Sequence, residues 1–202
     1  MRDWTGNTNS AIKTIGAHNG IEEPREENDY YTTDPKAIDK LLTVEQPSYN
    51  IWECAAGGGH LAQRLKEQGY KVTTSDIIQR NYALDFTYDF LEISKCGLGT
   101  NEEYDILTNP PYKYAKEFVL KALDIVKEGR KVYMFLKLTF LEGKARFKDL
   151  FSKYPPKKIY IFSERISCAK NGQFGKFSQS AIAYAWYVWE KGWNGKTTIE
   201  WI

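Results

Sequence analysis

Asn109-Pro110-Pro111-Tyr112 closes a short, mostly apolar run, Tyr104 to Leu107, that reads as a buried strand. Neither proline can donate to a sheet ladder and both fix φ, so the strand stops there and the chain leaves in a rigid shape. Asn109 and Tyr112 are then held at the carboxyl end of a strand, the edge where open α/β sheets place their ligands. An amide and an aromatic ring at that edge suit a chemistry of acceptors and positioning. Competing chemistries are poorly supported. The chain has only His18 and His60, and Cys54, Cys96 and Cys168 are scattered, odd in number and not in metal-ligand spacing. Taken alone, the tetrapeptide reads equally well as a strand-to-loop turn with Asn-Pro and Pro-Pro as punctuation.

A second group of residues lies upstream. Tyr49 to Cys54 reads as a strand, Ala55-Ala56-Gly57-Gly58-Gly59-His60 as a tight turn, and Leu61 onward as a helix ended by Gly69. Tyr70 to Ser75 is a β-branched strand that ends at Asp76. Together these form one βαβ unit. Its glycines would let backbone N–H groups approach a ligand at a helix N-terminus, and its terminal acid could accept both hydroxyls of a ribose.

The remaining elements follow the same logic. Asp34-Pro35 offers an N-cap and a first-turn proline for a short helix carrying Ile38, Leu41 and Leu42. Phe118, Val119, Ala122, Leu123 and Val126 recur at helical spacing between about 115 and 127. Val132 to Leu138 and Lys158 to Phe162 read as strands, and Ser180 to Trp189 as a last long aromatic one. With no helix between them, the final two strands should pair antiparallel. Residues 1–28 are polar and without apolar period and are expected to form a flexible arm, leaving a single domain over 29–202.

A chain of 202 residues is long enough to bury roughly 70% of its unfolded surface. No apolar run approaches the ~20 residues of a membrane span, and the cysteine usage fits a reduced, cytoplasmic setting. The net charge of +2 conceals an asymmetry. Residues 1–112 carry 10 Lys+Arg against 18 Asp+Glu, whereas residues 113–191 carry 17 against 7. The basic half follows the Asn-Pro-Pro-Tyr stretch and could face a polyanion, although lysines also decorate ordinary solvated helices.

Glycine loop, strand-end acid and Asn-Pro-Pro-Tyr in this order resemble the S-adenosylmethionine-dependent DNA adenine-N6 methyltransferases in their compact phage-like form. Tyr30-Tyr31-Thr32-Thr33-Asp34-Pro35 is similar to that family's cofactor-closing segment, and Ala183 to Trp189 to its last strand. The resemblance spans about residues 29–191. It implies a Rossmann-like α/β fold with a mostly parallel seven-stranded sheet, helices on both faces and an antiparallel C-terminal strand. It further implies S-adenosyl-L-methionine as cofactor, held by Tyr31, Thr32, Thr33, Glu53, Ala55, Gly57, Gly59, Asp76, Ile77, Asp89, Phe90 and Asn109. Asp76 would bind the ribose, Ile77 would pack on the cofactor's adenine, and Asp89 would accept from the adenine amino group, with Asp85 as a rival for that role.

In the same resemblance Asn109, Pro110, Pro111 and Tyr112 are the catalytic residues. A purine's exocyclic amine is a poor nucleophile because its lone pair is delocalised into the ring. The Asn109 oxygen and the Pro110 carbonyl could accept its two hydrogens and favour a pyramidal nitrogen, with no strong base required. Tyr112 would stack on the base, which a duplex must extrude. Arg146, Arg165, Lys170 and Lys176 are candidate DNA contacts, because the chain has no room for a large recognition region. RNA adenine or a protein glutamine would suit the same chemistry, and a non-catalytic binding protein would suit the same fold.

Overall fold

The computed structural model describes residues 32–94, 98, 103–166, 168–169 and 182–202. The expected arm, 1–28, lies outside them.

The chain enters as β1 (Thr32–Thr33) and turns into α1 (Lys36–Leu42). Pro35 already has helical φ/ψ, and Asp34 accepts the Lys36 N–H at 3.0 Å, so acid and proline perform the capping roles their order implies. Next come β2 (Asn50–Glu53), α2 (His60–Glu67), β3 (Lys71–Asp76) and the two-residue β4 (Phe86–Thr87). After a 3₁₀ turn at Phe90–Glu92, β5 (Asp105–Thr108) leads to α3 (Ala115–Ile125) and β6 (Lys131–Lys137). The short α4 (Lys144–Arg146) runs on as a π-helical turn, Phe147–Phe151. The chain ends through β7 (Lys158–Ile161), β8 (Cys168–Ala169), β9 (Tyr184–Glu190) and β10 (Thr198–Trp201).

Among the described residues eight strands form one sheet in the order β10-β7-β9-β6-β5-β2-β3-β4. All pairings are parallel except those of β9, which runs antiparallel to both β6 and β7. The mostly parallel sheet with an antiparallel member therefore stands, with one strand more than the seven expected. Neither β4 nor β10 is among the strands expected above; β10 pairs parallel to β7, so the antiparallel strand is the penultimate one. β10 lacks the apolar run that marks a buried strand because it is an edge with mostly exposed side chains. A separate two-stranded ladder joins β1 to β8, Thr33 opposite Cys168.

Alternation along the central strands builds two cores. Val132, Met134 and Leu136 of β6 face Phe118, Val119 and Ala122 of α3 on one side. Tyr133 and Phe135 face the other, where Ile38 and Leu41 of α1 and Leu61 and Leu65 of α2 pack. Each fully buried large side chain contributes roughly 1.5–3 kcal/mol. Trp186 and Trp189 are core residues, as their strand position implies: Trp186 donates to the Ala37 carbonyl at 2.9 Å and Trp189 to that of Tyr154 at 3.0 Å. Among the described residues no helix is long and apolar enough to cross a membrane.

Candidate active site

β2, β3 and β5 are adjacent, parallel and in register, so their carboxyl ends open on the same side. A pocket of about 630 Å³ lies there, lined by residues that follow each strand. From β2 come Glu53 and the glycine loop. From β3 come Asp76 and Ile77, and from β5 the run Asn109 to Tyr112. Thr32, Thr33, Asp89 and Phe90 complete the wall among the residues expected there.

Glu53 is buried, and its Oε2 has no hydrogen-bond partner. Burial pushes its carboxyl well above the ordinary 4.5, and the Asp76 charge adds to this against the Ala62 N–H and Lys66. A buried acceptor without a donor is uncommon and points to a donor supplied from elsewhere. Asp76 is occupied differently. Its Oδ2 accepts the Gly57 N–H at 2.8 Å and its Oδ1 the Ile78 N–H at 3.2 Å, while Arg80 approaches Oδ1 at 3.6 Å. The glycine loop and the strand-end acid thus hold each other directly.

The glycine loop departs from expectation at Gly59. This residue has φ +75° and caps α2, but it is not part of the pocket lining. A Cβ there would stand 2.3 Å from the Tyr82 ring. Its side-chain-free backbone makes room for a tyrosine of the connection after β3. Nor are the loop's N–H groups all open to a ligand: Ala56 donates to Ser75, Gly57 to Asp76 and Gly59 back to Ala56.

The two acids between β3 and β5 separate by placement. Asp85 turns its carboxylate onto Thr74, accepting from both its N–H and its hydroxyl at 2.8 Å, and does not line the pocket. Asp89 does line it, and caps the following turn by accepting the Leu91 N–H at 2.9 Å. The Phe90 ring is buried, edge-on to Trp52 at 5.3 Å and stacked on Phe118 at 5.0 Å, so only its backbone is available to a ligand.

At the end of β5 the Asn109 amide donates from Nδ2 to Thr33 Oγ1 at 2.8 Å. Tyr112 lies 6.0 Å from the Tyr184 ring, with the Lys137 ammonium 4.7 Å from its own centroid. Tyr184 in turn stacks on Phe135 at 5.0 Å. An aromatic column rooted in the core therefore backs Tyr112.

The expected nucleic-acid contacts fare less uniformly. Arg146 donates to the backbone carbonyls of Phe140 (2.8 Å), Thr139 (3.3 Å) and Glu142, which makes it a staple for the loop after β6. Arg165 is exposed and away from the pocket. Tyr31, Lys170 and Lys176 lie outside the described residues. Sequence reasoning missed Arg80, Tyr114 and Phe118 in the pocket wall. Tyr114, two residues past Tyr112, carried an aromatic signal; Arg80 sits in a loop and carried none.

No family model and no curated protein matches the chain. Solved structures do match its fold. A Listeria monocytogenes protein assigned to the class I S-adenosylmethionine-dependent methyltransferases superposes with a TM-score of 0.56 at 12% identity, covering 90% of this chain and 68% of its own. A Pyrococcus horikoshii protein assigned as an RNA methyltransferase gives 0.55 at 17%, covering 90% and 98%. An Agrobacterium tumefaciens protein assigned as an O-methyltransferase gives 0.55 at 15%, covering 78% and 81%. The architecture is that of the Rossmann-like class I methyltransferases.

Proposed function

We propose that the protein is an S-adenosyl-L-methionine-dependent methyltransferase acting on the exocyclic N6 amine of adenine in DNA. One observation carries the reading: Glu53, Asp76 and Asn109 to Tyr112 line a single pocket at the carboxyl edge of the sheet. The residues fit the cofactor. The unpartnered Oε2 of Glu53 suits the methionine ammonium, and Asp76 keeps lone pairs for ribose hydroxyls beside its two backbone donors. Ile77, half-exposed in the wall, offers an apolar surface for a purine, and Asp89 a carboxylate for its amino group.

When bound, the cofactor supplies an electrophilic sulfonium methyl group. The chain's own residues supply position. The Asn109 oxygen and the Pro110 carbonyl accept the two hydrogens of the target amine, which localises its lone pair. Two rigid prolines hold these acceptors in place, so little reorganisation is required during reaction. Tyr112, backed by Tyr184, offers its ring to the base. Burial lowers the His60 pKa, which weakens it as a base. The basic half of the chain that follows the pocket suits a polyanionic acceptor.

The test is to incubate the protein with methyl-labelled cofactor and adenine-containing single- and double-stranded DNA, then digest to nucleosides. N6-methyladenine is expected. Its absence from both substrates, with cofactor binding established by calorimetry, would overturn the proposal.

A further inference from the structure

The hydrogen bond from Asn109 Nδ2 to Thr33 Oγ1, 2.8 Å long, joins residues far apart in the chain. Thr33 is buried, 2% exposed, and its backbone is tied on the far side to β8, where it pairs with Cys168. Its hydroxyl therefore sits on a fixed backbone next to the amide. An asparagine amide has two faces of opposite character, an acceptor oxygen and a donor NH₂, and rotation by half a turn exchanges them. Only one of these orientations presents an acceptor to an amine. The other would set NH₂ against NH₂ and repel the substrate.

Resting on the reading of Asn109 given above, we propose that Thr33 is a positioning residue whose hydroxyl fixes the Asn109 amide with its acceptor oxygen toward the target amine. Thr33 lines the same pocket, but its hydroxyl acts through Asn109. The hydroxyl anchors the NH₂ on the side away from the acceptor position, and the β1–β8 ladder holds the hydroxyl. β1, which lines the pocket, thereby becomes part of the machinery that sets the amide.

Thr33→Val removes the hydroxyl at nearly constant shape, and Thr33→Ser keeps it. Transfer at saturating cofactor is expected to fall about tenfold to a hundredfold in Thr33→Val, with cofactor affinity within about threefold and KM for the oligonucleotide little changed. Thr33→Ser should restore most of the rate. In a cycle with Asn109→Ala, the Thr33→Val change should have no further effect. A parental rate in Thr33→Val, a loss that disappears on saturating the cofactor, or full additivity in the cycle would each overturn the proposal.

A second measurement does not depend on activity. The side-chain NH₂ of Asn109, assigned in a ¹⁵N spectrum by its loss in Asn109→Ala, should be protected from exchange in the parent and in Thr33→Ser. It should lose that protection in Thr33→Val. Unchanged protection would overturn the positioning role. Protection that behaves as expected in a protein that methylates no DNA would instead overturn the substrate reading and leave the bond's role standing.

Discussion

Glu45 and Glu53 are both buried, both glutamate and close in sequence, yet Glu45 precedes β2 and Glu53 is its last residue. Glu45 belongs to the amino-terminal edge of the sheet. It receives the Lys131 ammonium at 2.5 Å, the Tyr160 hydroxyl at 2.7 Å and the Tyr133 hydroxyl at 3.2 Å. Burial alone would raise its pKa, but the bonds from Lys131 and Tyr160 outweigh that and hold it below the ordinary 4.5. Asp105 at the same edge has both oxygens on backbone N–H groups, those of Ser48 and Lys131. Glu53, at the carboxyl-terminal edge, is buried with Oε2 unpartnered and its pKa driven up. Folding gives Glu45 and Asp105 at one edge their donors and leaves Glu53 at the other with one oxygen short of a donor. A buried acid with its full set of donors works for stability, while one left short lies where a ligand is expected.

The sharpest way to test the contrast is at the carboxyl edge. Asn109→Ala should lower transfer about a thousandfold while leaving cofactor affinity within about tenfold, or ~1.4 kcal/mol. A variant that stays active would remove Asn109 from the chemistry. The matching change at the amino edge, Glu45→Ala, should cost about 3 kcal/mol of stability by stranding Lys131 and two hydroxyls. Chemical denaturation reads it directly, and a variant as stable as the parent would end the idea that this edge is structural.

Glu53→Gln comes next in size. Cofactor affinity should fall about tenfold to a hundredfold, yet the unliganded protein should melt no lower than the parent at neutral pH. The pH dependences should also oppose each other. Glu53 is raised in the folded state, so its contribution is intact below the unfolded value near 4.5 and is lost as pH rises through the folded value. Glu45 is lowered, so its contribution is present above 4.5 and is lost as pH falls through the folded value. Melting curves of parent, Glu53→Gln and Glu45→Gln across this range should diverge on opposite sides of 4.5. Parallel curves would dissolve the comparison.

The smallest effect belongs to Arg146→Ala. As a staple of the loop after β6 it should cost about 1 kcal/mol and leave the salt dependence of DNA binding unaltered. A phosphate contact would instead reduce the slope of log affinity against log salt by about one.

The Asp34-Pro35 start, the glycine stop at Gly69 (φ +90°) and the Pro110-Pro111 exit are local backbone effects, and each falls where its residue types require. The glycine turn and strand-end acid were legible for the same reason, as was their convergence with Asn109, because parallel strands place their carboxyl ends together. β10 was not legible, since an exposed edge strand lacks the apolar pattern of a buried one. Gly59 shows a subtler limit: its need for glycine was readable, but the Tyr82 ring that imposes it was not.

By itself, then, the sequence determined the βαβ unit, the abrupt end of β5 and the poverty of histidine. Tertiary structure alone decided which of Asp85 and Asp89 lines the pocket, which of two glutamates is left short of a donor, and that Thr33 holds Asn109. Such choices rest on contacts between residues distant in the chain. No spacing or periodicity encodes those contacts, because they arise only when the sheet brings its edges together.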